Sequence, residues 1–145
     1  MLRRLLVPLL VSTFSTPVLA EDCDRSCLAG FLSSYLAAVV ANDATKAPLS
    51  YGFRQTENSI VRPNDEGLWS SVTGLGELQR RYYDPEGQTA GYFGLLEEGG
   101  KPAIVALRLK VENQKITEAE WHIGREGDVG LTGEGSTAVF DLENL

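Results

Sequence analysis

Apolar and polar positions alternate most regularly between Gly91 and Arg125, where strand signals run through two turns. The pattern predicts three antiparallel strands. In Ala103 to Val111 the odd positions Ala103, Val105, Leu107, Leu109 and Val111 are apolar while Arg108 and Lys110 are not, as expected of a half-buried strand. In the next strand Thr117, Ala119, Trp121 and Ile123 oppose Glu118, Glu120 and His122. A plain two-residue turn at Asn113-Gln114 would set Leu107 beside Glu120 and mix apolar with acidic residues on one face. One extra residue, taken up as a bulge near Thr117 or in a three-residue loop, instead pairs Leu107 with Trp121, Leu109 with Ala119 and Val105 with Ile123. On the other face Arg108 then meets Glu120, Lys110 meets Glu118 and His122 lies beside Ala106. The same logic across Glu98-Gly99-Gly100 pairs Phe93 with Val105 and Tyr92 with Ala106.

Upstream the period changes. From Asp24 to Ala41, Leu28, Phe31, Leu32, Tyr35, Leu36, Val39 and Val40 recur at helical spacing, which predicts an amphipathic helix lying on the apolar sheet face. Asn42-Asp43 stop it, and Ala44 to Leu49 can form only a short helical turn before Pro48. Gly52 to Val61 reads as a strand, 63–67 as a loop, and Leu75 to Tyr82 as a short helix or an irregular strand. Gly67 to Ser71 is undecided by pattern, and Tyr82 to Gly87 is a turn around Asp84-Pro85. This order gives an α+β fold: a curved antiparallel sheet wrapped around an N-terminal helix, as one cone-shaped domain. A tail, 126–145, carries Val139, Phe140 and Leu142 and can fold back as an edge segment.

The first twenty residues change the picture of where the chain works. Arg3 and Arg4, an apolar run broken by Pro8 and Pro17, and Val18-Leu19-Ala20 form a secretory signal peptide with cleavage expected after Ala20, leaving 21–145 as the domain. Glu21 and Asp22 before Cys23 disfavour a lipid anchor. Cleavage removes two of the 13 Lys and Arg, leaving 11 against 20 Asp and Glu, a net charge of -9. Such a surface disfavours nucleic acid and anionic membrane as partners. Cys23 and Cys27, the only cysteines, are four apart in a chain bound for an oxidising compartment, so a disulfide is the default. A metal site built from both thiolates and His122 would lack a full ligand shell. No metal or cofactor is expected, and the destination is secreted or periplasmic.

Cys23 and Cys27, Tyr35-Leu36-Ala37-Ala38, Asn42-Asp43, Pro48-Leu49, Arg54 with Thr56-Glu57-Asn58, Gly67-Leu68-Trp69, Asp84-Pro85, Arg108 to Val111 and Lys115 to Glu120 also carry a resemblance. Over residues 23–125 the chain resembles the nuclear transport factor 2-like, SnoaL-like cone-fold superfamily, and within it a group of secreted proteins. The resemblance implies a pocket between helix and sheet. It leaves activity open, because members include cofactor-independent cyclases, dehydratases, isomerases and lyases as well as proteins without catalysis.

No nucleophile elbow, phosphate loop, dinucleotide fingerprint or metal-binding helix is present. Candidates therefore come from the strand face that would line a cone. Arg54, Thr56 and Asn58 share one face and Gln55 and Glu57 the other; an inward Glu57 would be desolvated and suited to proton abstraction, whereas an outward one is an ordinary solvated carboxylate. Glu57 is the first catalytic candidate and His122 the alternative base, although the register sets His122 on the polar face. Arg54, Asn58, Trp69, Tyr92 and Arg108 are the candidates for binding substrate; for Arg108 the plainer expectation is a cross-strand pair with Glu120. Trp121 reads as core. Two functions follow: a secreted lyase, isomerase or hydratase acting on a small hydrophobic or aromatic molecule, or a non-catalytic module that binds a hydrophobic ligand or forms a homodimer through the outer sheet face.

Overall fold

The structure, a computed structural model, describes residues 22–128. Residues 1–21 and 129–145, with the expectations placed on them, lie outside the described residues. Helix α1 (Arg25–Val40) begins at Asp24, whose side chain accepts a hydrogen bond from the Cys27 amide at 2.8 Å. Cys23, just before the cap, is joined to Cys27 by a disulfide with a Cα–Cα distance of 5.2 Å. Leu28, Leu32, Tyr35, Leu36, Ala38 and Val39 form the buried face. After a 3₁₀ turn (Ala44–Lys46) come β1 (Leu49–Glu57), β2 (Ile60–Arg62), the single turn α2 (Leu68–Ser71), β3 (Val72–Asp84), β4 (Thr89–Glu98), β5 (Lys101–Glu112) and β6 (Lys115–Arg125). No helix among the described residues is long and apolar enough to cross a membrane.

The six strands form one curved sheet in the order β2-β1-β6-β5-β4-β3, with α1 packed on its apolar face against β3, β4 and β5. The β1–β6 pair is parallel and every other pair antiparallel, so the sheet is mixed. Leu107 faces Trp121, Leu109 faces Ala119 and Val105 faces Ile123, with the slip between Lys110 and Val111 leaving Thr117 as the extra residue. Asn113 and Gln114 both take positive φ, 50° and 58°, the conformation of a two-residue turn that follows the sheet twist. Bulge and tight turn together keep like faces opposed.

The structure corrects expectations of register and strand extent and decides between two readings of Leu75 to Tyr82. Tyr92 pairs with Leu107 and Phe93 with Ala106, one residue away from the register read from sequence. The cause is the turn: Gly99 and Gly100, at φ 58° and 84°, close it in two residues and set the core residues Tyr92 and Leu107 side by side. The strand read over Gly52 to Val61 is split, because Asn58 and Ser59 turn with φ 48° and 69° and send β2 back along β1. Leu75 to Tyr82 is strand, inside β3, and its irregularity is a bulge between Leu75 and Gln79.

Candidate functional site

On β1 the chain alternates strictly between Arg54 and Glu57, and pairing with β6 decides which face goes inward. Gln55 and Glu57 face the core, at 1% and 7% exposure, while Arg54 and Thr56 lie on the outer face. Burial of an amide and a carboxylate demands partners, and α1, α2 and β6 supply them. Tyr35 donates its hydroxyl to Gln55 Oε1 at 2.6 Å, and Trp69 Nε1 donates to the same oxygen at 2.7 Å. Gln55 Nε2 donates to Glu57 Oε1 at 3.0 Å, and the Leu68 amide donates to that oxygen at 2.8 Å. Trp121 Nε1 completes the set by donating to the Tyr35 hydroxyl at 3.2 Å.

The direction of this chain is fixed. Indole N–H groups only donate and a carboxylate only accepts, so the Gln55 oxygen must face the tryptophan and its NH₂ group must face Glu57. Around it the rings interlock: Tyr35 meets Trp69 edge to face with centroids 5.4 Å apart, and Trp121 and Phe53 each at 6.2 Å. Burial pushes the Tyr35 phenol far above its ordinary value; the Trp121 hydrogen bond opposes that rise and the Glu57 charge adds to it. Tyr35 is therefore a fixed neutral donor, unsuited to giving up a proton.

Glu57 Oε2 has no hydrogen bond among the described residues. Beyond it lies a charged rim. Arg125 Nε donates to Glu98 Oε2 at 2.7 Å and a second guanidinium nitrogen to Oε1 at 3.0 Å, while the Ser71 hydroxyl donates to Oε1 at 2.5 Å. Burial would raise the Glu98 carboxyl, but these bonds outweigh it and hold it below its ordinary value. Arg125 is raised in turn, chiefly by Glu98 and to a smaller extent by the charge of Glu57. Glu98, Lys101, Pro102, Arg125 and Glu126 line a cavity of about 260 Å³ at this end of the sheet.

The sequence candidates thus fall into two groups. Glu57 and Trp69 meet in the interior network, with Gln55 and Tyr35 as partners that sequence reading did not single out; the signal for Gln55 was its place two residues from Glu57 on one strand face. Tyr92 is buried in the same core but donates its hydroxyl to the Leu95 carbonyl at 3.1 Å. Asn58 clamps strand ends: its Nδ2 donates to the Ile123 carbonyl at 2.9 Å and its Oδ1 accepts from the Ile123 amide at 2.8 Å. Arg54, Arg108 and His122 are on the outer face. Arg108 bonds Glu120 and Glu118, each at 2.8 Å, and His122 is exposed opposite Ala106. Among the described residues no group of three or more His, Cys, Asp or Glu is placed to hold a metal ion.

This architecture is the NTF2-like cone fold. The chain is similar to an NTF2-like protein of unknown function from Cytophaga hutchinsonii, with 12% identity over 67% of this chain and 89% of that one at a TM-score of 0.52. It is also similar to one from Burkholderia xenovorans, with 12% identity, 70% and 85% coverage and a TM-score of 0.55. A de novo designed protein with a curved β-sheet overlays at a TM-score of 0.58, with 15% identity over 73% of this chain and 92% of that one. At these identities the likeness is one of fold alone. No protein-family model and no curated protein sequence matches the chain.

Proposed function

We propose that the protein is an exported, non-catalytic module that binds a small hydrophobic molecule. The observation that carries this reading is the closure of the interior network. Tyr35, Trp69, Trp121 and Gln55 lie within 2% of full burial and direct their polar atoms at one another or at Glu57. General acid-base catalysis needs groups aimed at a substrate, with a proton that can move near the working pH. Here the groups at the centre of the cone bind each other and hold α1, α2, β1 and β6 together. Recognition then falls to grooves outside this centre. Export is supported by the leader pattern of residues 1–20 together with the Cys23–Cys27 disulfide. The acidic charge argues against nucleic acid as a partner, and the ion-paired outer sheet face is the surface through which a homodimer would form.

One observation favours the catalytic reading: the buried Glu57 keeps one oxygen without a hydrogen bond among the described residues. Incubating the exported protein with a metabolite mixture and reading bound and released masses separates the two. Binding without chemical change, retained in Glu57→Gln, is the expected result. A product formed by the wild type and lost in correctly folded Glu57→Gln would overturn the non-catalytic reading and make Glu57 the base of a lyase, isomerase or hydratase.

A further inference from the structure

Where β3 crosses the end of β4, four residue steps from Leu75 to Gln79 face only two from Leu96 to Gly94. The surplus forms a bulge, Gly76 to Leu78, lying directly over β4, and two glycines permit it. A β-carbon on Gly76 would come 2.5 Å from the Leu95 β-carbon, and one on Gly94 would collide with the Leu78 carbonyl. The bulge thereby covers Leu95, which is 8% exposed, and holds open a groove of about 490 Å³. Its apolar lining comes from Leu78, Leu95, Leu96 and Pro102, and two carboxylates, Glu77 and Glu97, border it. Both are exposed, and neither has an ion-pair or side-chain hydrogen-bond partner among the described residues.

The volume lies in the range of small-molecule sites, about 300–1,000 Å³. An apolar floor whose two carboxylates are unpaired among the described residues, with no basic side chain in its described lining, selects charge as well as hydrophobicity. We infer that this groove binds an amphiphilic organic cation, an aliphatic or aromatic body carrying an amine or quaternary ammonium head. The body lies along Leu78 and Pro102 beside the covered Leu95, and the head sits between Glu77 and Glu97. The acidic charge of the whole chain raises the local concentration of such cations and lowers that of anionic amphiphiles. This inference rests on the binding reading and names its ligand class.

The test is calorimetric titration of the intact protein with decyltrimethylammonium, decyl sulfate and 1-decanol, each kept below aggregation. The cation should bind one to one. Glu77→Gln/Glu97→Gln, at two exposed positions that leave the fold intact, should weaken it roughly tenfold, the scale of two exposed charge contacts, and leave 1-decanol binding unchanged. Equal binding of decyl sulfate, or unchanged cation affinity in the double variant, overturns the inference while leaving the binding-module reading in place. Failure of all three probes also overturns it, and the metabolite experiment then judges the broader reading separately.

Discussion

The Glu57 carboxylate occupies the space that a β-carbon on Gly67 would need: an added methyl group would collide with both carboxylate oxygens. Gly67 sits at φ 60° and ψ -129°, just ahead of α2, and this backbone lets the Leu68 amide point at Glu57. Gly67→Ala should therefore destabilise the fold by about 1–3 kcal/mol from backbone strain alone, with the collision adding to it. Denaturant unfolding of Gly67→Ala, Glu57→Ala and the double variant checks the origin. Removing the carboxylate should relieve part of the Gly67→Ala loss, so the two effects should be clearly less than additive. Strict additivity would mean the two residues do not meet.

Tyr35→Phe removes a hydroxyl that two neighbours bond, and strands one of them. Trp121 Nε1 loses its acceptor and Gln55 Oε1 loses one of two donors. An orphaned buried polar group costs about 1–3 kcal/mol, and Trp121 is the fully orphaned one, so a loss of about 2 kcal/mol is expected. Gln55→Leu should be worse, since it removes the acceptor of both the Tyr35 hydroxyl and Trp69 Nε1 and withdraws a donor from Glu57. Urea midpoints at constant slope measure both.

Much of this could be read in the residues, and the failures have physical causes. The β5–β6 register follows from sequence because alternation in both strands allows only one pairing that keeps Leu107 and Trp121 together, and it needs the Thr117 bulge. The β4–β5 register lies one residue from the one that the pattern predicts, because the glycine turn closes in two residues rather than three. The Asn58-Ser59 turn carries no glycine to mark its positive φ, and bulges in β3 erase the period of two. Pairing β1 parallel to β6 is a long-range choice with no local signal. Between Arg54 and Asn58 both strand faces are polar, so the inward face is set by the donors on Tyr35, Trp69 and Leu68, which belong to other elements.

Arg108 presents an opposite case. It bonds two carboxylates at 2.8 Å, yet its side chain is 42% exposed and those of Glu118 and Glu120 are 51% and 48% exposed. The Glu120 hydrogen bond raises Arg108, and Arg108 lowers Glu120, but water screens both. Arg108→Ala should therefore cost less than about 1 kcal/mol, and the difference should shrink further in high salt. A salt-independent loss of several kcal/mol would mean that this face is covered in solution, as it would be in a dimer.

Acid stability should report on the Glu98–Arg125 pair. The Glu98 side chain is 13% exposed, and its Arg125 and Ser71 bonds hold the folded-state carboxyl below its ordinary 4.5. A carboxyl lowered in the folded state contributes stability that is fully present above the unfolded value and lost as pH falls through the folded value. Below about pH 4.5 the unfolded chain binds the proton first, so stability rises with pH across that window. Glu98→Gln removes this contribution. Its stability should fall less steeply than the wild type between neutral pH and pH 3, while at pH 7 it should be lower by about 1 kcal/mol. Arg125→Met should flatten the same limb by removing the partner, whereas Glu126→Gln, a neighbour without that bond, should leave it unchanged. Thermal unfolding of the four proteins from pH 3 to pH 7 makes the comparison, and parallel acid limbs for wild type and Glu98→Gln would show that the pair does not drive the dependence.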